Sequence, residues 1–467
     1  MDAKTKKLSV FSKLFYGMGD MSGTFAGTVI GIFYLIYLTD VVLLRPILAG
    51  TALLVGKLWD AVTDPFMGYL SDRIKTRWGR RRVFFLIVFI PLGASFYLLW
   101  ATPNAETAGQ GWTFVYAMLT YMLFMTAWTV YAVPYQALTA EMTSDYDERT
   151  SLSSYRMAVS ILGGLAAALV PYMIFDAVDG ASEGHRVMGM VFGALIALGP
   201  LFPLIGCREE DKPRQESFPF FRGIALVWKN RNFRYVLGMF LVTWTAIDLL
   251  QSIFLYFLQY WLRIDPEAAS DFLGLGLPQG NVIFGLLFIV AALALPLWVF
   301  LSGKLGKRKS YIIGVGFFGL VLTGLTFFSP GMPGLLRNVY IMCVLAGVGL
   351  SAAHVMPFSI IPDCIEYDEL ETGKRREGLY YGFTTFIQKC AVALALWLSG
   401  MLLEVTGYVP NAPRQAESAL TAIRMLFGPV PFVLILIGCY CMIRYKIDRA
   451  AFDAIKAQIR EKNNPLT

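Results

Sequence analysis

Charged residues are scarce in this chain. Asp, Glu, Lys and Arg make up 16% of its 467 residues, and 56% of the sequence is hydrophobic, whereas a soluble globular domain carries roughly 25% charged residues. That shortage excludes an ordinary soluble protein and leaves a polytopic membrane protein. The net charge of +7 is no nucleic-acid signal, because the lysines and arginines lie in short connectors between apolar runs, where they set topology. Cysteine is sparse too. Cys207, Cys343, Cys364, Cys390, Cys439 and Cys441 all fall in apolar runs or at their ends, so free thiols are expected rather than disulfides or a zinc site. No nucleophile–base pair, metal-ligand cluster or phosphate-cradling loop appears, so no enzyme and no cofactor are expected. Met1 to Lys7 leads into a spanning run without a small-residue cleavage site, so no cleavable leader is expected either.

Long apolar runs are what the chain has in abundance. Runs of spanning length, about 20 residues, lie near 14–42, 47–71, 82–102, 112–140, 153–177, 187–206, 234–262, 281–303, 310–329, 337–361, 379–405 and 420–444. This predicts an all-α membrane protein of twelve transmembrane helices. Lys/Arg-rich connectors alternate with connectors holding one basic residue or two, which puts both termini in the cytoplasm of a cell whose inner (cytoplasmic) membrane the chain crosses. The polar connector divides the chain into a six-helix bundle (1–206), a cytoplasmic connector (207–233), a second six-helix bundle (234–444) and a cytoplasmic tail (445–467). The halves repeat one another. Asp145 stands eleven residues beyond Pro134, and Asp368 eleven beyond Pro357, each with basic residues behind it. Parallel repeats of this kind are a secondary-transporter architecture, a fold with two six-helix pseudo-symmetric halves. Loop charges at Asp72, Arg73, Arg80, Asp145, Arg149, Asp368 and Arg375 are candidate gating residues, able to lock the halves in one state and release them in another.

The second run is organised around Lys57, Asp60 and Asp64, spaced i, i+3 and i+7 on one helix face. Each charge at mid-bilayer costs at least about 2.5–3.5 kcal/mol on the insertion scale, so three must face a polar cavity or each other. One reading is a Lys57–Asp60 ion pair that only holds helices together. The other is a cation site, because Lys57 can neutralise only one of the two acids.

Several stretches carry a resemblance: Lys13-Leu-Phe-Tyr-Gly17, Tyr37-Leu-Thr-Asp40, Trp59-Asp60-Ala-Val-Thr63-Asp64-Pro65, Arg77-Trp78-Gly79, Pro134 with its following acids, Tyr155-Arg156 and Gln388-Lys389. Together they resemble the major facilitator superfamily and, within it, the glycoside–pentoside–hexuronide:cation symporters. The resemblance implies a cation site at Asp60, Asp64, Thr63 and Thr129, approached by Lys389, with Na⁺ or H⁺ as coupling ion. It implies a sugar or glycoside as the small-molecule substrate. The family's two sugar-binding acids, however, fall on Thr24 and Ala132, and its sugar-facing tryptophan on Gln136. Asp20, one turn before Thr24, either substitutes for the missing acid or is a helix-end carboxylate. Trp128, Arg156, Asp248, Tyr380 and Thr384 complete the candidate substrate set. Val133-Pro134-Tyr135 and Pro362-Asp363 also resemble a related branch, the sodium-dependent lysophospholipid transporters. The alternative substrate is therefore a lysophospholipid or similar amphiphile. The expected partners are this substrate and the lipid bilayer, with no nucleic acid, and the expected state is a monomer.

Overall fold

The computed structural model describes all residues except 1–7, 75, 78, 143–145, 208–227, 271–277, 374–375 and 464–467. The described residues form helices and no strand. Twelve helical passes run in order: α1 (residues 10–41), α2 (Pro46–Arg73), α3 (Arg82–Trp100), α4 (Gln110–Met142), α5 (Tyr146–Ala177), α6 (Ala181–Gly206), α7 (Arg231–Trp261), α8 (Gln279–Leu305), α9 (Lys307–Leu325), α10 (Leu335–Thr372), α11 (Glu377–Val405) and α12 (Glu417–Arg444). A further amphipathic helix, α13 (Arg449–Asn463), packs on α10. Among the described residues all twelve expected runs are helical, and ten helices are long and apolar enough to cross a membrane as they stand. The two exceptions have visible causes. α1 breaks at Asp20 and winds as π-helix over Ile30–Tyr34 and Tyr37–Val41. α2 carries Lys57, Asp60 and Asp64 in its apolar run.

Contacts divide the chain into two units. The first comprises Met1–Gln215, Asp265–Gly285 and Leu396–Ala416, and the second Glu216–Ile264, Leu286–Ala395 and Glu417–Thr467. The start of α8 and the far end of α11 therefore belong with α1–α6. Within the first unit, α2 packs on α4, α3 on α4 and α6, and α1 on α5 and α6. Within the second, α9 packs on α10 and α12, and α7 on α12 and α10. The pairs α3–α4, α3–α6 and α1–α6 thus recur six helices later as α9–α10, α9–α12 and α7–α12, the structural form of the repeat seen in the loops. All six cysteines are free.

The contact between α2 and α4 positions the polar side chains of α2's inner face, and a glycine permits it. A Cβ on buried Gly56 would lie 2.2 Å from Cδ1 of Tyr121, whose ring is fully buried on α4. Small residues at such crossings let helix backbones approach closely in a membrane. Gly56→Val should therefore force the helices apart and destabilise the protein by about 1–3 kcal/mol, the usual scale of overpacking. Gly68→Ala, three turns along the same helix and facing only Val133 at 3.9 Å, should be close to neutral. The apparent melting temperatures of the two purified variants test this. A Gly56→Val protein as stable as the parent would show that the crossing is not tight.

Candidate functional site

α2 has two faces. Leu58, Val62, Phe66 and Tyr69 are exposed, while Asp60, 1% exposed, points the other way. The indole of Trp59 donates to Thr126 Oγ1 on α4 at 2.9 Å and fixes the rotation of α2 against its neighbour. One turn further along α4, the Thr129 hydroxyl lies 2.8 Å from Asp60 Oδ1 and 3.0 Å from Asp64 Oδ1. It has one proton and donates to one carboxylate at a time. The two Oδ1 atoms are accordingly within about 6 Å of each other. Thr63 donates to the Asp60 carbonyl at 3.2 Å, and its oxygen stands 3.3 Å from that of Thr129.

Four expected site residues thus meet in the first unit: Asp60, Asp64, Thr63 and Thr129. Two carboxylates and two hydroxyls are hard oxygen donors, a set that suits Na⁺ or a proton and not a soft transition metal. Among the described residues no group of three or more His, Cys, Asp and Glu side chains gathers to hold a metal ion. Lys57 departs from expectation. Among the described residues it makes no ion pair or hydrogen bond, so the Lys57–Asp60 pair is absent. Sharing a helix face is not enough, because helical side chains lean toward the N-terminus and a lysine preceding its acid leans away from it. Lys389 lies half-buried on α11 in the second unit.

A second polar cluster sits where α1 breaks. Asp20 is half-buried and stands at the joint between the two α-helical stretches of α1, the C-cap of one and the N-cap of the next. Ser160 of α5 donates to its carboxylate, and the Thr24 hydroxyl lies 3.2 Å from the Asp20 carbonyl and 3.3 Å from Ser160 Oγ. The Arg156 guanidinium interacts with Tyr16, Asp20 and Tyr135. Tyr131 and Tyr135 donate to the carbonyls of Gly19 and Tyr16 at 2.7 and 2.6 Å, tying α4 to the broken stretch. Trp128 covers Gly23, where a Cβ would meet its ring at 2.6 Å. Asp20, Thr24, Arg156 and Trp128 are therefore neighbours of one another or of α1's break, while Gln136 is exposed on α4 and makes no hydrogen bond among the described residues.

In the second unit, Asp248 is half-buried on α7, and Thr245 spends its hydroxyl on the Leu241 carbonyl at 2.7 Å. Tyr380 is 1% exposed, accepts a hydrogen bond from Asn230 at 3.0 Å and packs on Phe233. Thr384 is equally buried and donates to the Tyr380 carbonyl at 3.0 Å. Tyr380 is thus engaged with α7 and its N-terminal approach, and Thr384 with the backbone of its own helix. Of the gating candidates, Arg73 stacks on Tyr69 at 4.0 Å, and Asp368 pairs with Arg376 at 3.6 Å. Asp145, Arg375 and the side chains of Asp72 and Arg149 lie outside the described residues, and Arg80 is half-buried.

Sequence reasoning missed several ion pairs and one hydroxyl. Lys13 at the start of α1 meets Glu148 of α5 at 2.9 Å, and Lys307 of α9 meets Asp363 of α10 at 2.6 Å. Ser160 gave no signal at all, since a lone serine in an apolar run has no pattern.

The chain matches the family model described as MFS/sugar transport protein over residues 15–449. It is 30% identical to the uncharacterized symporter sll1374 of Synechocystis sp. over 99% of each chain. It is 29% identical to the sodium-dependent lysophosphatidylcholine symporter 1-B of Danio rerio, covering 95% of this chain and 88% of that one. Identity to the sphingosine-1-phosphate transporter MFSD2B of Xenopus tropicalis is 27%, with 98% and 93% covered. The fold is similar to that of the nucleoside transporter NupG, with a TM-score of 0.63 at 13% identity over 94% of this chain and 100% of that one. On the family match over almost its whole length, together with the symporter relatives, this chain belongs to the MFS/sugar transport family of the major facilitator superfamily.

Proposed function

We propose that this protein is a Na⁺-coupled symporter that moves a lysophospholipid-like amphiphile by alternating access. The observation that carries the coupling is the pair of carboxylates gathered on Thr129. Two carboxyl groups and two hydroxyls thus form a hard-oxygen set within a spanning helix pair, where an acid is costly to hold and a monovalent cation offsets that cost. H⁺ is the second candidate ion, since either carboxylate can take a proton. Lys389 is proposed to supply a counter-charge once the ion has left. Cation and substrate each raise the affinity for the other by reciprocal linkage.

Two features favour an amphiphile over a sugar. Positions 24 and 132 carry Thr and Ala where the resemblance to the glycoside symporters implies acids, so two charge-assisted bonds to sugar hydroxyls are missing. Arg156, beside Asp20, offers a guanidinium suited to a phosphate. The lysophosphatidylcholine and sphingosine-1-phosphate transporters among the relatives support the same reading. A sugar or glycoside is the second reading, supported by the family description and by Trp128, an aromatic ring beside a polar cluster.

Contacts within the first unit support alternating access. Arg45, in the α1–α2 turn, bonds Glu404 on α11 through Nε at 2.8 Å and Nη2 at 2.5 Å. The Asp40 carboxylate accepts from Tyr408 at 2.7 Å, and the Asp40 carbonyl accepts from Asn411 at 2.6 Å. Below them, a Cβ on Gly400 would lie 2.3 Å from the Pro46 carbonyl. We propose that this set closes one side of the membrane in one state of the cycle and opens in the other.

Three experiments test the proposal. Thermal unfolding of the purified protein should show stabilisation by NaCl over choline chloride, about 2.7 kcal/mol at one hundred times the dissociation constant. Asp60→Asn and Asp64→Asn should abolish it, Thr129→Val should weaken it, and Thr129→Ser should keep it. A parent protein stabilised neither by Na⁺ nor by acidification would sink the cation site.

In proteoliposomes, an inward Na⁺ gradient should drive uptake of a lysophospholipid in preference to glycosides, and Arg156→Gln should lower uptake efficiency by about tenfold or more, the scale of a lost hydrogen bond to a charged group. Gradient-driven glycoside uptake without lysolipid uptake would favour the second reading.

In a cysteine-free background, cysteines at Ala108 and Ala268 should react with an impermeant reagent added outside intact cells, and one at Gln215 should not. Labelling at Gln215 would reverse the proposed orientation.

A further inference from the structure

Three helices carry the same surface device. On α2, Leu58, Val62, Phe66 and Tyr69 form an exposed apolar seam that ends at Arg73, whose guanidinium carbon stands 4.0 Å from the Tyr69 ring centroid. On α8, Ile289, Leu293, Leu297 and Phe300 form another, ending at Lys304, whose Nζ stands 4.4 Å from the Phe300 ring. Both keep one spacing: steps of four, four, three and four residues. On α12, Val433, Ile437 and Tyr440 repeat the last three steps up to Arg444, whose guanidinium stands 5.3 Å from the Tyr440 ring and donates to its hydroxyl at 3.1 Å. The α2 seam lies in the first unit, and the seams of α8 and α12 lie in the second. In each case the seam tracks the i, i+4, i+7 stripe of one helix face.

The chemistry of the three ends is alike. An aromatic ring at the end of an apolar stripe sits at headgroup level, with its apolar body in the hydrocarbon. A cation held over that ring one turn later has its aliphatic stem against the ring and its N–H groups turned to the interface. In the second unit the surroundings add charge of the same sign. Arg449 donates to the Gly303 carbonyl at 2.7 Å, and Arg308 to the Tyr445 carbonyl at 3.3 Å, which brings residues 304–309 and 444–453 to the ends of α8 and α12. Those two stretches hold seven basic side chains and two acidic ones, Asp448 and Asp453.

We propose that the cation–aromatic ends of these three seams bind anionic diacyl phospholipids, with an acyl chain along the apolar stripe and the headgroup phosphate on Arg73, Lys304 or Arg444. A seam of exposed aliphatic side chains complements an acyl chain, and the fixed positive end complements a phosphate in a leaflet with negative surface potential. Binding does not depend on the transport reading. Only the assignment to the cytoplasmic leaflet rests on the orientation proposed above.

The test uses the purified full-length chain titrated with dioleoyl phosphatidylglycerol or dioleoyl phosphatidylcholine, read by native mass spectrometry and by thermal stabilisation. Phosphatidylglycerol should bind more tightly, and Arg73→Gln, Lys304→Gln and Arg444→Gln should each lower the affinity of one site about fivefold. The triple variant should bind the two lipids alike, while Lys304→Arg should behave as the parent. A second triple variant, at the exposed Arg263, Arg337 and Arg414 at or beyond other helix ends, should keep the full preference. Equal binding of the two lipids by the parent would overturn the proposal. So would a preference that survives the first triple variant or that vanishes equally in the second. If cysteine labelling reversed the orientation while the lipid preference held, the sites would stand and only their leaflet would change.

Discussion

Two carboxylates beside one threonine hydroxyl, inside a helix that must also face lipid, constrain the whole of the first unit. Each acid at mid-bilayer costs at least about 2.5–3.5 kcal/mol on the insertion scale. α2 can hold them only if its other face is apolar and its inner face finds polar partners. Both conditions are met in the side chains themselves. Val62 and Phe66 are exposed while Asp60 is buried, and the Trp59–Thr126 bond sets the rotation that keeps them so. Gly56 then lets α4 come close enough for Thr129 to reach both acids. A residue that adds a side chain at the crossing acts on the site without touching it.

Much of this could be read before any coordinates. Apolar runs report spans directly, because in hydrocarbon every backbone polar group must be satisfied inside the segment and a helix is the solution available to a single run. The grouping of Asp60, Asp64, Thr63 and Thr129 was legible by resemblance. What periodicity cannot carry is side-chain direction. Lys57 shares a face with Asp60, yet no pair forms, and Tyr380 packs on Phe233 and accepts from Asn230 where its place on α11 alone names no neighbour. Contacts between distant helices were equally invisible. Lys13–Glu148 joins residues 135 apart, and nothing local to either end announces the other.

The break in α1 joins local structure to the second polar cluster. Asp20 separates two α-helical stretches, and the same span later widens into π-helix over Ile30–Tyr34 and Tyr37–Val41. Widened turns of this kind free backbone groups and are frequent at functional sites. At the Asp20 break, earlier in the same span, the carbonyls of Gly19 and Tyr16 accept from Tyr131 and Tyr135 of α4, the helix that also carries Thr129. α4 therefore touches both clusters, and a shift of that one helix moves the hydroxyl on the carboxylates and the tyrosines around Asp20 and Arg156 together. That shared helix is a physical route by which the proposed ion site and the Asp20–Arg156 cluster would be coupled.

The strength of the contacts between the α1–α2 turn and the end of α11 bears on whether a cycle can run. The Arg45 side chain is 61% exposed and that of Glu404 21%. An ion pair so open to solvent is worth about 0.2–1 kcal/mol. The Tyr408–Asp40 bond, with a charged acceptor, adds about 1.5–3 kcal/mol. Together they hold one arrangement by a few kcal/mol. A ligand shifts a two-state equilibrium only by its difference in affinity for the two states, and about 5.5 kcal/mol moves it from 1:99 to 99:1. Contacts of a few kcal/mol lie within reach of one bound cation and one bound substrate acting together. A deeply buried pair in their place, costing about 3–5 kcal/mol to break on its own account, would consume most of that difference and hold the protein in one state.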